Sequence, residues 1–460
     1  MAEYDFIVIG SGPGGYVAAI RAAQLGMKTA IVEKSDIGGV CLNWGCIPSK
    51  ALIRNAEIIN LLGRADEFGI ELSGIKYDFG KAIDRSRKVV TKLTKGVEFL
   101  LKKNKVDCFQ DAAILESPNT VKLVNSNEKL IGKNIILATG ARPRNIPGLD
   151  TDHKTIITSR EALEIKDVPG SVVIIGGGAV GVEFGYVYSQ YGAQVTIVEL
   201  ESRIVPTEDE EISGYLQKSL EKHGIKVKTN TRFESVKIEN GEAIVSVKVN
   251  EQTETIKSGR VLVAVGMTGN VEGLGLESIG IDINKGYINV DSNMATNVSG
   301  VYAIGDVTGK MLLAHVASAQ GVYVVETIAG LSPPGLDYDL MPRAIYCHPQ
   351  VASFGLTENQ AREKGYELKV GRFPLSASGK AIAMGETEGM VKVVAEKEIG
   401  DILGVHMIGS EVTELLGEIG MARMLESTTE ELGWLTHPHP TISEVIKEAA
   451  LDAQGGAVHI

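Results

Sequence analysis

The sequence predicts an α/β chain that contains two similar strand–helix–strand units and ends in a separate α+β domain. The units are predicted by two glycine-rich turns, at residues 10–15 and 176–181, each of which follows a short apolar strand and precedes a helix and a second strand. The last domain is predicted by two short apolar strands at 391–395 and 403–408, which are typical of an antiparallel sheet with covering helices.

Both units end in an acidic residue at the same distance from their first glycine. The first unit starts with a strand at residues 4–9, and its second strand ends in Glu33, 23 positions after Gly10. In the second unit, Glu199 follows Gly176 at that same spacing. Two unrelated glycine-rich turns would have to reproduce this whole context by chance. The glycines that form the two turns are Gly10, Gly12, Gly14, Gly15, Gly176, Gly178 and Gly181.

Glycine-rich turns of this kind bind the pyrophosphate of a dinucleotide. The glycines permit a tight turn, let the backbone approach the phosphates and let the helix pack closely on the strand. The N-terminus of the helix supplies free N–H groups, and the acidic residue accepts hydrogen bonds from a ribose. The sequence therefore predicts two Rossmann-like dinucleotide-binding domains, with Gly266 at the end of the second.

Proline-containing stretches divide the rest of the chain. A linker at 143–147 leaves the first unit, and a proline-rich stretch at 332–335 introduces the last domain. The predicted divisions are a first nucleotide-binding domain with a cysteine pair at 1–147, a second at 148–272, a central segment belonging to the first site at 273–342, and an interface domain at 343–460.

Charge and hydropathy argue against two classes of partner. A net charge of −12 disfavours nucleic acid, because phosphate binding requires basic clusters. No apolar run approaches the roughly 18 residues of a membrane span. The first residues lack the layout of a secretory signal, and four cysteines in 460 residues are too few for a disulfide scaffold. We therefore expect a cytoplasmic protein, or the mature protein of an organelle matrix.

Cys41 and Cys46 follow the first unit and form the candidate reactive pair. A metal site would normally add a second Cys or His pair, which is missing here, and two small buried side chains are the alternative. On an ideal helix, residues five apart are separated by about 7.5 Å along the axis, more than the roughly 4.4–6.8 Å between the Cα atoms of a disulfide. A disulfide therefore requires a distorted turn, for which Gly45 and Pro48 are suited.

Lys50 lies four residues after Cys46 and shares a helix face with it if this segment is helical. A positive charge at that position would lower the pKa of a thiol. The spacing alone fits an ordinary surface lysine equally well, so the role of Lys50 stays open at this point.

The cysteine segment resembles the redox motif of the flavoprotein disulfide reductases, and it is most similar to that of the dihydrolipoamide dehydrogenases. The resemblance extends over essentially the whole chain and includes both glycine-rich turns. The further matching segments are Gly39 to Lys50, Ala138-Thr139-Gly140, Ala303-Ile304-Gly305-Asp306, and His437-Pro438-His439-Pro440-Thr441 with Glu444.

The resemblance implies the roles of the catalytic residues. Cys41 exchanges with the substrate dithiol, and Cys46 forms the thiolate that touches the flavin. His439 is the acid/base that serves Cys41, and Glu444 holds its ring. A His-x-His pair could also bind a metal, but no third ligand is evident, and we expect no metal site. His315 is interpreted as a structural residue.

The resemblance also implies two cofactors, FAD in the first site and NAD in the second. Only a flavin can accept electrons from a thiolate and pass hydride to NAD, and the cysteine pair is tethered to the first site. Lys50 is implied to pair with Glu183 near the flavin. The residues assigned to FAD are Gly10, Gly12, Gly14, Gly15, Glu33, Lys50, Thr139, Gly140, Gly305, Asp306 and Ala314, and those assigned to NAD are Gly176, Gly178, Gly181, Glu199 and Gly266.

The implied activity is the oxidation of protein-bound dihydrolipoamide with reduction of NAD⁺. The implied partners are the lipoyl domains of 2-oxoacid dehydrogenase or glycine-cleavage complexes, and a second copy of the chain that completes each active site across a homodimer interface. Two alternatives stay open: a flavin-bearing binding protein whose cysteines are idle, and a reductase of another disulfide, such as a low-molecular-weight thiol.

Overall fold

The computed structural model describes residues 2–460. Within this range the strands are β1 (Ala2–Ile9), β2 (Thr29–Glu33), β3 (Asp107–Gln110), β4 (Ala113–Ser117), β5 (Thr120–Leu123), β6 (Lys129–Leu137), β7 (Ala141–Pro143), β8 (Ile156–Ile157), β9 (Ser171–Ile175), β10 (Gln194–Val198), β11 (Lys226–Lys228), β12 (Thr231–Glu239), β13 (Glu242–Val249), β14 (Gln252–Ser258), β15 (Arg260–Val263), β16 (Met267–Gly269), β17 (Ile283–Asn284), β18 (Tyr287–Ile288), β19 (Val301–Ala303), β20 (Arg343–Ile345), β21 (Gln350–Gly355), β22 (Leu368–Pro374), β23 (Met390–Glu396) and β24 (Ile402–Gly409).

The helices alternate with the strands in the first two thirds of the chain and cover the last sheet. They are α1 (Pro13–Gln24), α2 (Gly39–Trp44), α3 (Cys46–Leu62), α4 (Phe79–Lys103), α5 (Ser159–Ala162), α6 (Ala179–Gln190), α7 (Glu210–Lys222), α8 (Ala314–Ile328), α9 (Glu358–Glu363), α10 (Gly379–Met384), α11 (Leu416–Met424), α12 (Thr429–Trp434) and α13 (Glu444–Ala453).

The first sheet is built around the first predicted unit. Its strand order is β3-β2-β1-β6-β5-β4, and β19 adds beside β6. Strand β1 runs parallel to both β2 and β6, and α1 connects β1 to β2. The residues Phe6–Ile9 are buried because helices and loops cover both faces of the sheet at this point. The predicted strand–helix–strand unit is therefore confirmed.

Strand β19 reaches this sheet from a distant part of the chain. Its residues Val301–Ala303 pair in parallel with 135–137 of β6. The central segment predicted at 273–342 thus contributes a strand to the first sheet, although the predicted boundaries themselves stay predictions. Strands β7 and β16 pair with each other and connect the segments that lead out of the first unit and out of the second.

The second sheet repeats the arrangement around the second glycine-rich turn. Its strand order is β11-β10-β9-β15-β8, all parallel, and α6 connects β9 to β10. A separate antiparallel sheet, β12-β13-β14, packs beside it and was not predicted. In both sheets the turns lie at the carboxyl ends of the parallel strands, where nucleotides bind in folds of this kind.

The C-terminal sheet is antiparallel, with the order β20-β21-β24-β23-β22. Every residue of β24 is buried, because helices such as α13 pack on the sheet. The predicted antiparallel sheet and the α/β class with a C-terminal α+β domain are confirmed. Among the described residues 2–460, no helix combines the length and apolarity needed to cross a bilayer.

Candidate active site

The first glycine-rich turn is shaped by two backbone contacts. Gly10 has a φ of +101°, and a Cβ built there would lie 2.3 Å from the Ala138 carbonyl oxygen. A Cβ on Gly15 would lie 1.9 Å from the carbonyl oxygen of Gly10, so α1 can approach the strand only because Gly15 has no side chain. Gly12, in contrast, faces open space. The turn is therefore closed towards the sheet and open towards a ligand.

Glu33, at the end of β2, ties the strand to this turn. Its Oε2 accepts hydrogen bonds from the amide and the hydroxyl of Ser11, both at 2.8 Å, and its Oε1 accepts one from the Ser35 amide at 2.9 Å. Oε2 already accepts two bonds, so Oε1, whose second contact, with the Ser35 hydroxyl, is long at 3.5 Å, is the oxygen that can still accept a ribose hydroxyl. The acidic residue thus both fixes the turn and stays available to a nucleotide.

A cavity of about 610 Å³ joins the turn to the cysteine pair. Its wall comes from the first unit, from the linker after β6 and from the turn after β19, so residues far apart in the chain meet there. Gly15 and Lys50 are outside its lining, whereas the other predicted FAD residues and both cysteines line it: Gly10, Gly12, Gly14, Glu33, Cys41, Cys46, Thr139, Gly140, Gly305, Asp306 and Ala314.

The residues of this cavity fit an FAD molecule. Asp306, in the short turn Gly305–Thr308, makes no side-chain hydrogen bond within residues 2–460, and burial raises the pKa of its carboxyl to about 6. Such a group is served by a ligand that donates hydroxyl hydrogens to it. Gly140, with a φ of +71°, also leaves open space where a side chain would stand.

Cys41 and Cys46 form a disulfide with a Cα–Cα distance of 4.7 Å. The helix containing Cys41 ends at Trp44, and a new helix begins at Cys46. Gly45 separates them with φ −143° and ψ −113°, and a Cβ there would lie 3.1 Å from the Val40 carbonyl oxygen. The expectation that the pair needs a distorted turn at Gly45 is confirmed.

Lys50 and Glu183 meet across two domains. The Lys50 Nζ lies 2.9 Å from both carboxylate oxygens of Glu183, which projects from α6 and is 7% exposed. Glu183 also accepts a hydrogen bond from the Tyr346 amide at 2.9 Å, and the Tyr346 ring lies 4.6 Å from the ammonium. The pair therefore joins the redox helix to the second nucleotide domain and to the C-terminal domain. Tyr346 was missed because its contact is made through the backbone.

Trp44 is held between two arginines that no sequence pattern indicated. The guanidinium groups of Arg87 and Arg160 lie 4.8 and 4.3 Å from the centre of its ring, close enough for cation–π attraction. The indole Nε1 donates to Asp36 at 3.0 Å. Because the arginines come from α4 and α5, only the tertiary structure reveals this stack. It fixes the segment between the two cysteines.

His439 and Glu444 form a pair at the other end of the chain. The His439 Nδ1 lies 2.9 Å from Glu444 Oε1, and Glu444 Oε2 accepts a hydrogen bond from the Thr441 amide. Burial opposes ionisation of Glu444, but the bonds from Thr441 and His439 outweigh it and lower its pKa. The His439 Nε2 is therefore left to exchange a proton, and its side chain is 78% exposed, outside the cavity of the same chain.

The other histidines considered have structural contacts. His437 Nε2 lies 2.9 Å from Glu418, which raises the pKa of the imidazole, and its Nδ1 lies 3.2 Å from the Leu435 carbonyl oxygen. His315 Nε2 lies 2.9 Å from the Pro342 carbonyl oxygen. Within residues 2–460, no cluster of three His, Cys, Asp or Glu side chains is arranged to hold a metal ion.

The second glycine-rich turn makes the same close backbone contacts as the first. A Cβ on Gly176 would lie 2.3 Å from the Ala264 carbonyl oxygen, and one on Gly181 would lie 2.0 Å from the Gly176 carbonyl oxygen. Gly178 faces open space. The Glu199 carboxylate accepts hydrogen bonds from two backbone amides, at 2.6 and 2.8 Å. This turn, too, fits a dinucleotide.

Gly266 lies at the exit of the second nucleotide domain. It has a φ of +96°, and its carbonyl oxygen accepts a hydrogen bond from the Arg144 amide at 2.9 Å. A side chain at this position would meet open space. The glycine is thus required by the backbone conformation, and it leaves open space beside β16.

Comparison with known proteins gives full-length matches. Residues 4–321 match the family model described as pyridine nucleotide-disulphide oxidoreductase, and residues 341–450 match the dimerisation domain of that family. A dihydrolipoyl dehydrogenase from Bacillus subtilis is 45% identical over 99% of both chains. One from Chlorobaculum parvum is 49% identical over 98% of this chain and 97% of its own.

Solved structures agree with these matches. LpdA from Mycobacterium tuberculosis superposes with a TM-score of 0.90 at 25% identity, covering 98% of this chain and 99% of that one. The flavoprotein disulfide reductase RclA from Escherichia coli superposes with a TM-score of 0.87 at 26% identity over 98% of this chain and 99% of its own. With its redox disulfide, two nucleotide turns and dimerisation domain, the chain belongs to the pyridine nucleotide-disulphide oxidoreductase family.

Proposed function

We propose that this protein is a dihydrolipoyl dehydrogenase, which converts dihydrolipoamide and NAD⁺ into lipoamide, NADH and a proton. The observation that carries the proposal is that the Cys41–Cys46 disulfide lines the same cavity as the first nucleotide turn. A dithiol can therefore be oxidised where a bound flavin can receive its electrons. The full-length relatives with that activity support the choice of substrate.

The two cysteines carry out the exchange of disulfide bonds. One thiolate of the substrate attacks Cys41 Sγ, the Cys41–Cys46 bond breaks, and Cys46 leaves as a thiolate. The second substrate sulfur then displaces Cys41 and closes the lipoyl disulfide. Two electrons have passed to the cysteine pair, and the dithiol has lost two protons. A bound FAD would supply the transfer of this electron pair to NAD⁺, where the pair and one of the two protons form the hydride and the other proton is released.

Lys50 and Glu183 stabilise the thiolate from which the electrons pass to the flavin. The ammonium adds positive charge beside the helix that begins at Cys46, which stabilises a thiolate at the N-terminal end of that helix. Glu183 keeps the ammonium in place, since it is nearly buried and bonded through both oxygens. Asp306 accepts hydroxyl hydrogens of the FAD ribityl chain in this proposal.

His439 of the partner subunit is the acid/base for the disulfide of one chain, and its Nε2 accepts one substrate proton at a time. Within one chain it is exposed and stands outside the cavity that contains the cysteines. The dimerisation domain exposes large apolar side chains, Met424, Leu425 and Trp434, each by 68% or more. Burying such side chains favours a stable dimer. A two-fold interface would then complete two equivalent active sites with His439 and Glu444.

The protein that delivers the dithiol is a lipoyl domain of a 2-oxoacid dehydrogenase or glycine-cleavage complex. The full-length relatives named dihydrolipoyl dehydrogenase support this choice of partner. The protein would then be located where that complex is, in the cytoplasm or in an organelle matrix.

A strong preference for NAD over NADP is expected. Glu199 is nearly buried at the end of β10, where the ribose of the nucleotide lies in this class of fold. A 2′-phosphate would bring negative charge against this carboxylate, at a cost of about 10²-fold in affinity. Arg203, which could have favoured the phosphate, donates instead to the Pro206 carbonyl oxygen at 3.1 Å.

The measurement is kcat/KM for both nucleotides in wild type and in Glu199→Gln. The ratio of kcat/KM for NAD to kcat/KM for NADP should be well above one in wild type and smaller in Glu199→Gln. Arg203→Ala is the matched control on the same loop, and its kcat/KM for NAD should equal that of wild type. A wild-type kcat/KM that is higher with NADP contradicts the assignment.

Steady-state assays test the proposed function itself. Dihydrolipoamide, glutathione disulfide, mercuric ion and cupric ion are each offered with NAD(H) and with NADP(H). The proposal expects dihydrolipoamide with NAD⁺ to give the highest kcat/KM by a wide margin. Turnover of glutathione disulfide or a metal ion at a higher kcat/KM refutes it, and FAD binding without turnover of any substrate supports the binding-protein alternative.

A further inference from the structure

Helix α4 concentrates positive charge in an acidic protein. Residues 79–105 hold nine basic and two acidic side chains, a net charge of +7, whereas the whole chain carries −12, so the remainder carries −19. The side of this helix that faces the rest of the protein is apolar, and it packs through residues such as Ile83, Val90 and Leu101. Most of this positive charge therefore lies on the outer face of one long helix.

The outer face forms a continuous stripe that we call the α4 stripe, and it consists of Lys88, Lys92, Lys95, Phe99 and Lys103. The spacings of three and four residues place these side chains on one side of the helix. All five are exposed, Phe99 by 64%. Within residues 2–460, no carboxylate lies within 4.0 Å of any of these lysines.

An ordinary solvated helix face does not require this pattern. Like charges at spacings of three and four residues, as at Lys88, Lys92 and Lys95, destabilise a helix, and alternating signs would avoid that cost. An aromatic side chain in the middle of the cations adds a surface that a partner can bury. The α4 stripe thus combines steering charge with an apolar anchor.

The stripe lies beside the redox segment. Helix α4 packs against α3, the helix that starts at Cys46. Arg87, the residue before Lys88, donates from Nη1 to the Asn43 carbonyl oxygen at 2.8 Å and stacks on Trp44, which lies between the two cysteines. A protein bound to the stripe is therefore adjacent to the segment that receives the dithiol.

We propose that the α4 stripe docks the carrier domain that brings the lipoyl group, and that the docked face of this domain is acidic. The inference rests on the proposed function, because it assumes a protein-borne dithiol. A carrier with an acidic face would be repelled by the charge of −19 on the remaining chain. A cationic stripe that begins beside the segment of Asn43 and Trp44 offsets this repulsion near the two cysteines. Electrostatic guidance of this kind raises association rates by roughly 10–10³-fold and weakens with salt.

The test uses a charge-reversed variant, Lys88→Glu/Lys92→Glu/Lys95→Glu. The matched control is Lys226→Glu/Lys237→Glu/Lys257→Glu, which makes the same change in net charge at exposed lysines of the second nucleotide domain. The probes are a dihydrolipoyl domain chosen for its net negative charge, and free dihydrolipoamide. Both are assayed with NAD⁺ at low and high ionic strength, and circular dichroism verifies that each variant is folded.

The proposal expects kcat/KM for the domain to fall by about tenfold or more in the α4 variant at low salt. The loss should shrink as salt is added, and activity with free dihydrolipoamide should stay at the wild-type value. The control variant should retain most of its activity with the domain. Equal losses in the two triple variants, or no loss in either, overturn the proposal.

Two further outcomes distinguish failure of the proposed function from failure of the docking proposal alone. If wild type turns over neither the domain nor free dihydrolipoamide, the proposed function has failed, and the docking proposal falls with it. If wild type binds vesicles of phosphatidylserine or a duplex DNA through the α4 lysines, while its kcat/KM for the domain is unaffected by their reversal, the stripe serves an anionic surface of another class and the proposal is wrong.

Discussion

Replacing Cys46 by serine should abolish the oxidation of dihydrolipoamide, with a loss beyond the about 10²–10⁴-fold that removal of a general base causes. Serine cannot form the disulfide that accepts the substrate electrons, so no second route leads from the dithiol to the flavin. The measurement is dihydrolipoamide-dependent NADH formation at saturating substrate.

Two controls separate lost chemistry from lost structure. Cys108→Ser, at an exposed cysteine outside the active cavity, should keep full activity. Reduction of ferricyanide by NADH needs both nucleotide sites but no disulfide, and the Cys46→Ser protein should retain it. Substantial dihydrolipoamide oxidation by Cys46→Ser would show that the Cys41–Cys46 disulfide is not the electron acceptor.

Replacing His439 by glutamine should lower turnover by about 10²–10⁴-fold while leaving FAD bound. Glutamine preserves a polar side chain but cannot take the proton of the dithiol. Glu444→Gln should cost less, because Glu444 orients the ring through Nδ1 and does not itself transfer the proton. The comparison is made on kcat for dihydrolipoamide across the pH range.

His437→Gln is the matched control for this prediction. It is the neighbouring histidine, but its ring nitrogens face Glu418 and the Leu435 carbonyl oxygen. It should lower stability more than it lowers kcat. Near-normal turnover by His439→Gln would show that the acid/base is another group.

Local patterns predicted the two glycine-rich turns well because the geometry of each turn is local. The tight turn at Gly10 and the close approach at Gly15 depend on residues within one strand–helix connection, and the same holds at Gly176 and Gly181. The break between Cys41 and Cys46 also followed from helix geometry. Such features depend on residues that are only a few positions apart, so a single sequence is enough to predict them.

Contacts between distant segments could not be predicted in this way. The pairing of Lys50 with Glu183 spans 133 positions, and only the family resemblance suggested it. Nothing in the spacing indicated that the Tyr346 amide would join this pair or that Arg160 would stack on Trp44. Hydrophobic periodicity reveals which face of an element is buried but not which other element covers it.

Restoration of activity by exchange of subunits tests whether each active site is shared between two chains. Cys41→Ser and His439→Gln proteins, each inactive alone, are mixed under conditions that exchange subunits, and mass spectrometry confirms the heterodimer. If each site combines the disulfide of one chain with His439 of the other, a heterodimer contains one site with both defects and one intact site. Random exchange of equal amounts then restores about a quarter of the wild-type dihydrolipoamide–NAD⁺ activity. Confirmed exchange without any recovery of activity would mean that each active site is formed within a single chain.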